Sequence, residues 1–133
     1  MEGHRVVAAI LRRADHVLLC HRSPRRLWFP DVWDFPGGHV QRGEQPEGAL
    51  RRELAEELGI EFEGPDGDPV LHRVDPDAGL DLTVWVSSRW RGVVTNRQPE
   101  EHDSIDWFKR SQLDGLSFAD PSYLILLQSL LSD

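Results

Sequence analysis

The chain has 133 residues, 39% of them hydrophobic and 29% charged, with a formal net charge of -8. Those values suit one globular domain with a core of its own, and the net acidity argues against a broad electrostatic surface for DNA or RNA. Cys20 is the one cysteine, so no intramolecular disulfide is expected and a reducing cytoplasm fits; MEGHRVVAAI lacks a signal-peptide pattern, and the aliphatic run Leu124 to Leu127 is far too short to span a bilayer.

Charge is spread unevenly. Arg5, Arg12, Arg13, Arg22, Arg25 and Arg26 crowd the first 26 residues, where the acids are Glu2 and Asp15. An arginine-rich segment of this kind can bind phosphates, while an acidic helix elsewhere binds cations.

In chain order, Arg5 to Arg13 and His16 to Arg22 are aliphatic and β-branched, with Ala14-Asp15 between them, and predict two tightly joined strands. SPRRLWFPDV is a loop with two prolines, and Trp33 to Phe35 predicts a short strand running into Pro36-Gly37-Gly38. Gln45 to Leu58 predicts a helix: Pro46 suits the first turn, Ala49, Leu50, Leu54 and Leu58 recur at helical spacing, and Gly59 ends it. Val70 to Asp75, Leu82 to Trp90 and Asp103 to Phe108 predict further strands, then a short helical turn at SQL and an apolar helix from Pro121 to Leu131. No internal repeat or low-complexity linker breaks the chain, so one domain over residues 1–133 is expected. Strands, helix, strands, helix predict an α/β sandwich with a mixed sheet.

The chemistry concentrates in the middle. Glu53 lies three residues before Glu56 and four before Glu57, so helical spacing puts all three carboxylates on one face. Leu50, Leu54 and Leu58 fall on the neighbouring face, with the carboxylates emerging at its edge. Converging carboxylates offer oxygen ligands suited to a hard divalent cation such as Mg²⁺. Glu44 stands just before the helix, where a carboxylate complements the N-terminal dipole, and Arg52 is placed to clamp one of the acids.

Taken whole, the pattern runs Gly38, five residues, Glu44, seven residues, then Arg52-Glu53-Leu54-Ala55-Glu56-Glu57-Leu58-Gly59-Ile60. It resembles the Nudix box, residues 38–60, without a departure, and the surrounding pattern resembles a compact, MutT-like Nudix domain. The resemblance implies a Nudix-type α/β/α sandwich with a central mixed β-sheet. It implies hydrolysis of a nucleoside diphosphate linked to another moiety, with Mg²⁺ or Mn²⁺ held by Glu53, Glu56, Glu57 and the Gly37 carbonyl. Glu53 would also activate water, Arg52 would orient it, and Glu44 would steady the loop and helix or join the metal. A later loop often adds a carboxylate, for which Glu100 or Glu101 in RQPEEHD is the choice, with Glu101 assigned.

The flanks point to the substrate. WDFPGGHV resembles MutT-type nucleoside triphosphatases, and SFADPSYL resembles the place where such enzymes set an Asn or Asp against the purine edge, which gives Asp120. Asp120 before Pro121 also suits a helix N-cap. Arg22 and Arg26 complete the expected substrate contacts, and Trp28, Phe29 and Tyr123 are aromatics able to stack a base. The expected reaction takes a nucleoside triphosphate, oxidised or non-standard ones included, to the monophosphate and pyrophosphate. The expected partner is this small nucleotide, with no nucleic acid and no membrane, for a monomer or homodimer.

Three other readings compete. Pro76 lies 16 positions beyond Ile60, close to where ADP-ribose pyrophosphatases carry a proline. LLCHRS before FPGG matches the coenzyme A pyrophosphatase spacing, but Leu27 and Asp31 stand where an Arg and a Gly belong. A catalytically inactive Nudix-fold regulator commonly lacks box glutamates, and all of them are here. No HExxH, paired Cys/His spacing, GxSxG or P-loop occurs.

Overall fold

The computed structural model describes residues 4–27 and 29–131; Trp28 lies outside the described residues, so its expected stacking has no structural counterpart. Two compact units divide the chain, Met1–Leu11 with Pro36–Arg97 and Arg12–Phe35 with Gln98–Asp133.

The first unit is built on β1 (His4–Arg13), whose Val7 to Leu11 are buried on both faces. A run apolar on both faces is what a parallel-paired interior strand requires. It pairs parallel with β7 (Leu80–Ser87) and antiparallel with β4 (Gly37–His39), and β7 pairs antiparallel with β6 (Leu71–Asp75). The expected mixture of parallel and antiparallel pairing is therefore present. The strand β6 is polar and exposed, with Val74 58% accessible and His72 bonded to Asp81 at 2.8 Å.

Helix α1 (Pro46–Leu58) buries Ala49, Leu50, Leu54 and Leu58 completely, as their spacing predicts. Each leucine contributes about 1.5–3 kcal/mol of burial. Pro46 occupies its first turn, and Gly59 ends it at φ 69° with its N–H on the Ala55 carbonyl. Beyond it, β5 (Glu61–Phe62) pairs with β8 (Trp90–Arg91). The strand expected over Leu82 to Trp90 is corrected here: β7 stops at Ser87, whose hydroxyl donates to the Gly64 carbonyl at 2.6 Å, and Trp90 belongs to a separate ladder.

In the second unit β2 (His16–Arg22) lies between β9 (His102–Lys109) and β3 (Trp33–Asp34), antiparallel to both, and Arg12 and Arg13 of β1 close a hairpin onto it. Val17 to Cys20 are fully buried. A 3₁₀ turn spans Arg110–Gln112, and α2 (Ser122–Leu130) starts one residue later than Pro121, burying Tyr123 and Leu127. No helix among the described residues is long and apolar enough to cross a membrane.

Candidate active site

The box residues lie in the first unit, on α1 and on β4 with the loop after it. Their burial follows from helix rotation. At about 100° per residue, Glu57 lies about 60° from Leu54 at the centre of the apolar stripe, Glu53 about 100° and Glu56 about 160°. Glu57 is accordingly 3% exposed, while the Glu53 and Glu56 side chains are 17% and 48% exposed. Three carboxylates on one face thus sit at three depths, which corrects the expectation that all of them emerge at the edge. Glu57 is held by the Gly37 N–H, which donates to its Oε2 at 3.0 Å.

Arg52 gathers the other acids. Its Nε and Nη2 donate to the two oxygens of Glu44 at 2.8 and 3.0 Å, Nη1 reaches Glu53 at 2.8 Å and Glu56 at 3.3 Å, and Nη2 also donates to the His39 carbonyl at 3.0 Å. The hydrogen bond to Glu44 and then that to Glu53 keep the guanidinium charged by raising its pKa. Glu44 is lowered in turn by Arg52 and by the Gln41 N–H, which donates to its Oε1 at 2.8 Å. Glu44 therefore binds Arg52 and the loop before the helix, and these bonds, rather than the helix dipole alone, account for its position.

Two glycines shape the cradle. A Cβ on Gly37 would lie 2.0 Å from the Val7 carbonyl oxygen, and one on Gly38 would lie 2.4 Å from the carboxyl carbon of Glu53. Only a bare backbone lets β4 approach β1 and the glutamate so closely. Gly38→Ala is expected to displace Glu53 while leaving the sheet intact, since the atom it meets ends a flexible side chain. Steady-state kinetics should show kcat reduced by about 10–100-fold, with a thermal midpoint within about 5 °C of the parent.

The donor set fits a hard divalent cation: carboxylate oxygens on successive turns of one helix, beside a cradle that a methyl group would fill. Among the described residues no three His, Cys, Asp or Glu groups are gathered at ligand spacing; Glu53 and Glu56 are bonded to Arg52.

The remaining assigned residues lie in the second unit. Arg22 sits at the end of β2, its Nη1 3.6 Å from Asp34 and its Nε donating to the Phe29 carbonyl at 2.9 Å. Arg26 approaches Glu101 at 3.9 Å, and the Glu101 carbonyl accepts the Ser23 N–H at 2.9 Å. Asp120 Oδ1 accepts the Ser122 N–H and hydroxyl at 2.9 and 2.7 Å, and its carbonyl takes the Tyr123 N–H. The N-cap of α2 is Pro121, without a side-chain cap bond, so Asp120 stands one residue before the cap position expected of it and holds Ser122 from there. Tyr123, expected among the base-stacking aromatics, is 4% exposed and packs on Phe35 with ring centroids 4.4 Å apart; it is a core residue. Phe29 is 63% exposed.

Two features escaped sequence reasoning. Asp34, seen only as part of WDFPGGHV, faces Arg22, and burial raises its carboxyl to about 6. His102 is buried, which, with Arg26 and Arg22 nearby, lowers it to about 4. Alternation along β9 would have placed His102 with the exposed Ser104 and Asp106; a register shift between His21 and Arg22 breaks that alternation and turns His102 inward.

Comparison with known proteins agrees with this geometry. The NUDIX domain family model matches residues 2–127, nearly the whole chain. The 8-oxo-dGTP diphosphatase of Escherichia coli K12 is 30% identical over 110 residues, covering 79% of this chain and 83% of that protein. The CTP pyrophosphohydrolase of the same organism is 36% identical over 104 residues, covering 77% and 73%. A crystal structure of a MutT NUDIX hydrolase from Burkholderia pseudomallei superposes with a TM-score of 0.79 at 25% identity, covering 96% of this chain and 98% of that one. The α/β/α sandwich expected of the fold is the one that MutT structure has. With the box intact and the match spanning both units, the chain belongs to the Nudix hydrolase family.

Proposed function

We propose that the protein is a metal-dependent hydrolase of nucleoside triphosphates, oxidised or non-standard ones included, releasing the nucleoside monophosphate and pyrophosphate. The observation that carries it is the Arg52-centred cluster: Glu44, Glu53 and Glu56 on one guanidinium, with Glu57 set beneath them by Gly37. The triphosphate preference is supported by relatives named for 8-oxo-dGTP and CTP hydrolysis.

Glu53, Glu56, Glu57 and the Gly37 carbonyl would hold Mg²⁺ or Mn²⁺, with Glu101 as the added carboxylate. Such an ion neutralises the diphosphate, polarises phosphorus and acidifies water. Glu53 accepts the proton of the attacking water as its oxygen bonds to a phosphorus flanking the α–β bridge. The bridging P–O bond breaks, and its electron pair goes with pyrophosphate if the α-phosphorus is attacked or with the nucleoside monophosphate if the β-phosphorus is attacked; both routes give the same two products. Arg52, which donates to Oε1 of Glu53, orients that carboxylate for the proton transfer. Arg22 and Arg26 pair with phosphate oxygens, and the Asp120 carboxylate accepts a hydrogen bond from an N–H on the base edge. We place the enzyme in a reducing cytoplasm as a monomer or homodimer, acting as a single domain on small nucleotides.

ADP-ribose is the competing substrate, because Pro76 borders a cleft of about 570 Å³ shared with Gln41 to Glu44 of the box loop. A panel of natural and oxidised triphosphates, ADP-ribose and dinucleotides, compared by kcat/KM with Mg²⁺, separates the two. At least one triphosphate should exceed ADP-ribose by about 10-fold, a difference of about 1.4 kcal/mol; ADP-ribose far above every triphosphate would overturn the substrate and keep the family.

A further inference from the structure

In the second unit, a carboxylate that the proposed chemistry does not use stands against a guanidinium that it does. Asp34 Oδ2 lies 3.6 Å from Arg22 Nη1, with the two side chains 22% and 14% exposed. Asp34 is itself fixed: its Oδ1 accepts the Phe35 N–H at 2.8 Å, and its backbone pairs with Cys20. On its far side Arg22 is tied to the loop 23–32. Its Nε donates to the Phe29 carbonyl at 2.9 Å, its carbonyl accepts the Asp31 N–H at 3.1 Å, and its N–H donates to the Val32 carbonyl at 2.8 Å. Phe29 and Asp31 both have positive φ, 50° and 59°, a left-handed conformation that persists in non-glycine residues only where the surroundings hold it.

We propose that Asp34 is a positioning residue: acting through Arg22, it holds the described residues of the loop 23–32, Phe29 to Val32 above all, and the phosphate-binding guanidinium in the arrangement that receives nucleotide. The proposal rests on the reading of Arg22 as a phosphate contact. Without the carboxylate, Arg22 loses one of its anchors, and Phe29 and Asp31 lose part of what keeps them left-handed.

Protonation gives this arrangement a signature. Burial raises the Asp34 carboxyl to about 6, outweighing the Phe35 N–H and the charges of Arg22 and Arg26. The charges that act on it are those of Arg22 and Arg26; the other titratable groups on the elements beside it are His21 on β2, Asp31 in the loop, and Glu101, His102 and Asp103 where β9 begins. Arg26 pairs with Glu101 at 3.9 Å, and His21 lies between Asp103 at 2.7 Å and Asp31 at 3.8 Å. His102, lowered to about 4, loses its proton at the acid end of this range and is neutral near pH 6. The folded pKa of Asp34 exceeds its ordinary value of 3.8, so the folded state favours the protonated form. Its effect on stability is an added cost that develops as pH rises from about 4 to about 6. Over the same rise Arg22 gains a charged partner and kcat/KM increases.

Asp34→Asn and Asp34→Glu, compared with the parent as full chains, test the proposal. At pH 8, trypsin cleavage after Arg25 and Arg26, followed by fragment mass, should be about 3-fold faster in Asp34→Asn. Its KM for a triphosphate should rise about 5-fold with kcat within about 2-fold, and the rise of kcat/KM near pH 6 should disappear. Its thermal midpoint at pH 8 should be no lower, because the buried charge is gone. Asp34→Glu should recover both loop protection and KM. Unchanged cleavage in Asp34→Asn, an unchanged KM with an active parent, or a midpoint that falls in step with KM would overturn the positioning role. A parent that turns over no triphosphate would sink the proposed function instead, and the cleavage rates would still decide this one.

Discussion

Replacing Glu57 by Gln is expected to lower kcat for nucleotide hydrolysis by about 10³-fold while the protein stays folded. Glu57 is 3% exposed and its Oε2 accepts the Gly37 N–H at 3.0 Å. A glutamine amide oxygen can accept the same bond from the same place, so the packing beneath α1 survives. What is lost is the negative charge, and with it one anionic ligand for the cation. Losing several kcal/mol of transition-state stabilisation corresponds to a factor of this size. Glu56→Gln should act in the same direction from a different setting, since its side chain is 48% exposed and touches Arg52 at 3.3 Å. Circular dichroism and single-substrate kinetics on both variants check the expectation. Undiminished turnover in a folded variant would remove the carboxylates from the mechanism.

The largest stability effect is expected at Gly37. A Cβ there would lie 2.0 Å from the Val7 carbonyl oxygen and 2.6 Å from the Ala8 Cα, both main-chain atoms of the central strand, and φ is 154°. Neither atom can yield without opening the pairing of β4 with β1, which runs Val6 to His39, Val7 to Gly38 and Ala8 to Gly37. Gly37→Ala should cost at least about 4 kcal/mol, seen as a thermal midpoint lower by about 12 °C or more. Because the Gly37 N–H also anchors Glu57, any folded fraction should be poorly active. A midpoint within about 2 °C of the parent would mean that β4 does not sit as described.

The contrast between Gly37 and Gly38 shows what sequence can and cannot carry. Both belong to the same doublet, yet one methyl group would strike backbone and the other the end of a side chain. Spacing alone does not separate them. Glycine also hid β4 as a strand, because it favours turns in isolation and enters a sheet only where two backbones come close. The ladder β5 with β8 was missed because two residues per strand leave no periodicity to detect. By contrast β1, β2, β9 and α1 were legible, since long apolar runs and a leucine stripe at helical spacing admit few other structures.

The candidate site divides in the same way. Its membership came from a fixed pattern of residue types, Gly38 through Ile60, and the network around Arg52 is what those types form when brought together. The depth of each glutamate was missed because sharing a helix face is a coarser statement than the angle each side chain makes with the buried stripe. The Asp34–Arg22 pair was missed for another reason. It joins β3 to β2 across a loop, and no local pattern encodes a contact made by strand register.

Hydrolysis of a nucleoside triphosphate with and without Mg²⁺, with the products separated, bears most directly on whether this acidic helix face is a metal-dependent catalytic site. The expected result is nucleoside monophosphate and pyrophosphate in equal amounts, formed with Mg²⁺ and lost on chelation. Release of orthophosphate, or turnover that persists unchanged after chelation, would contradict it.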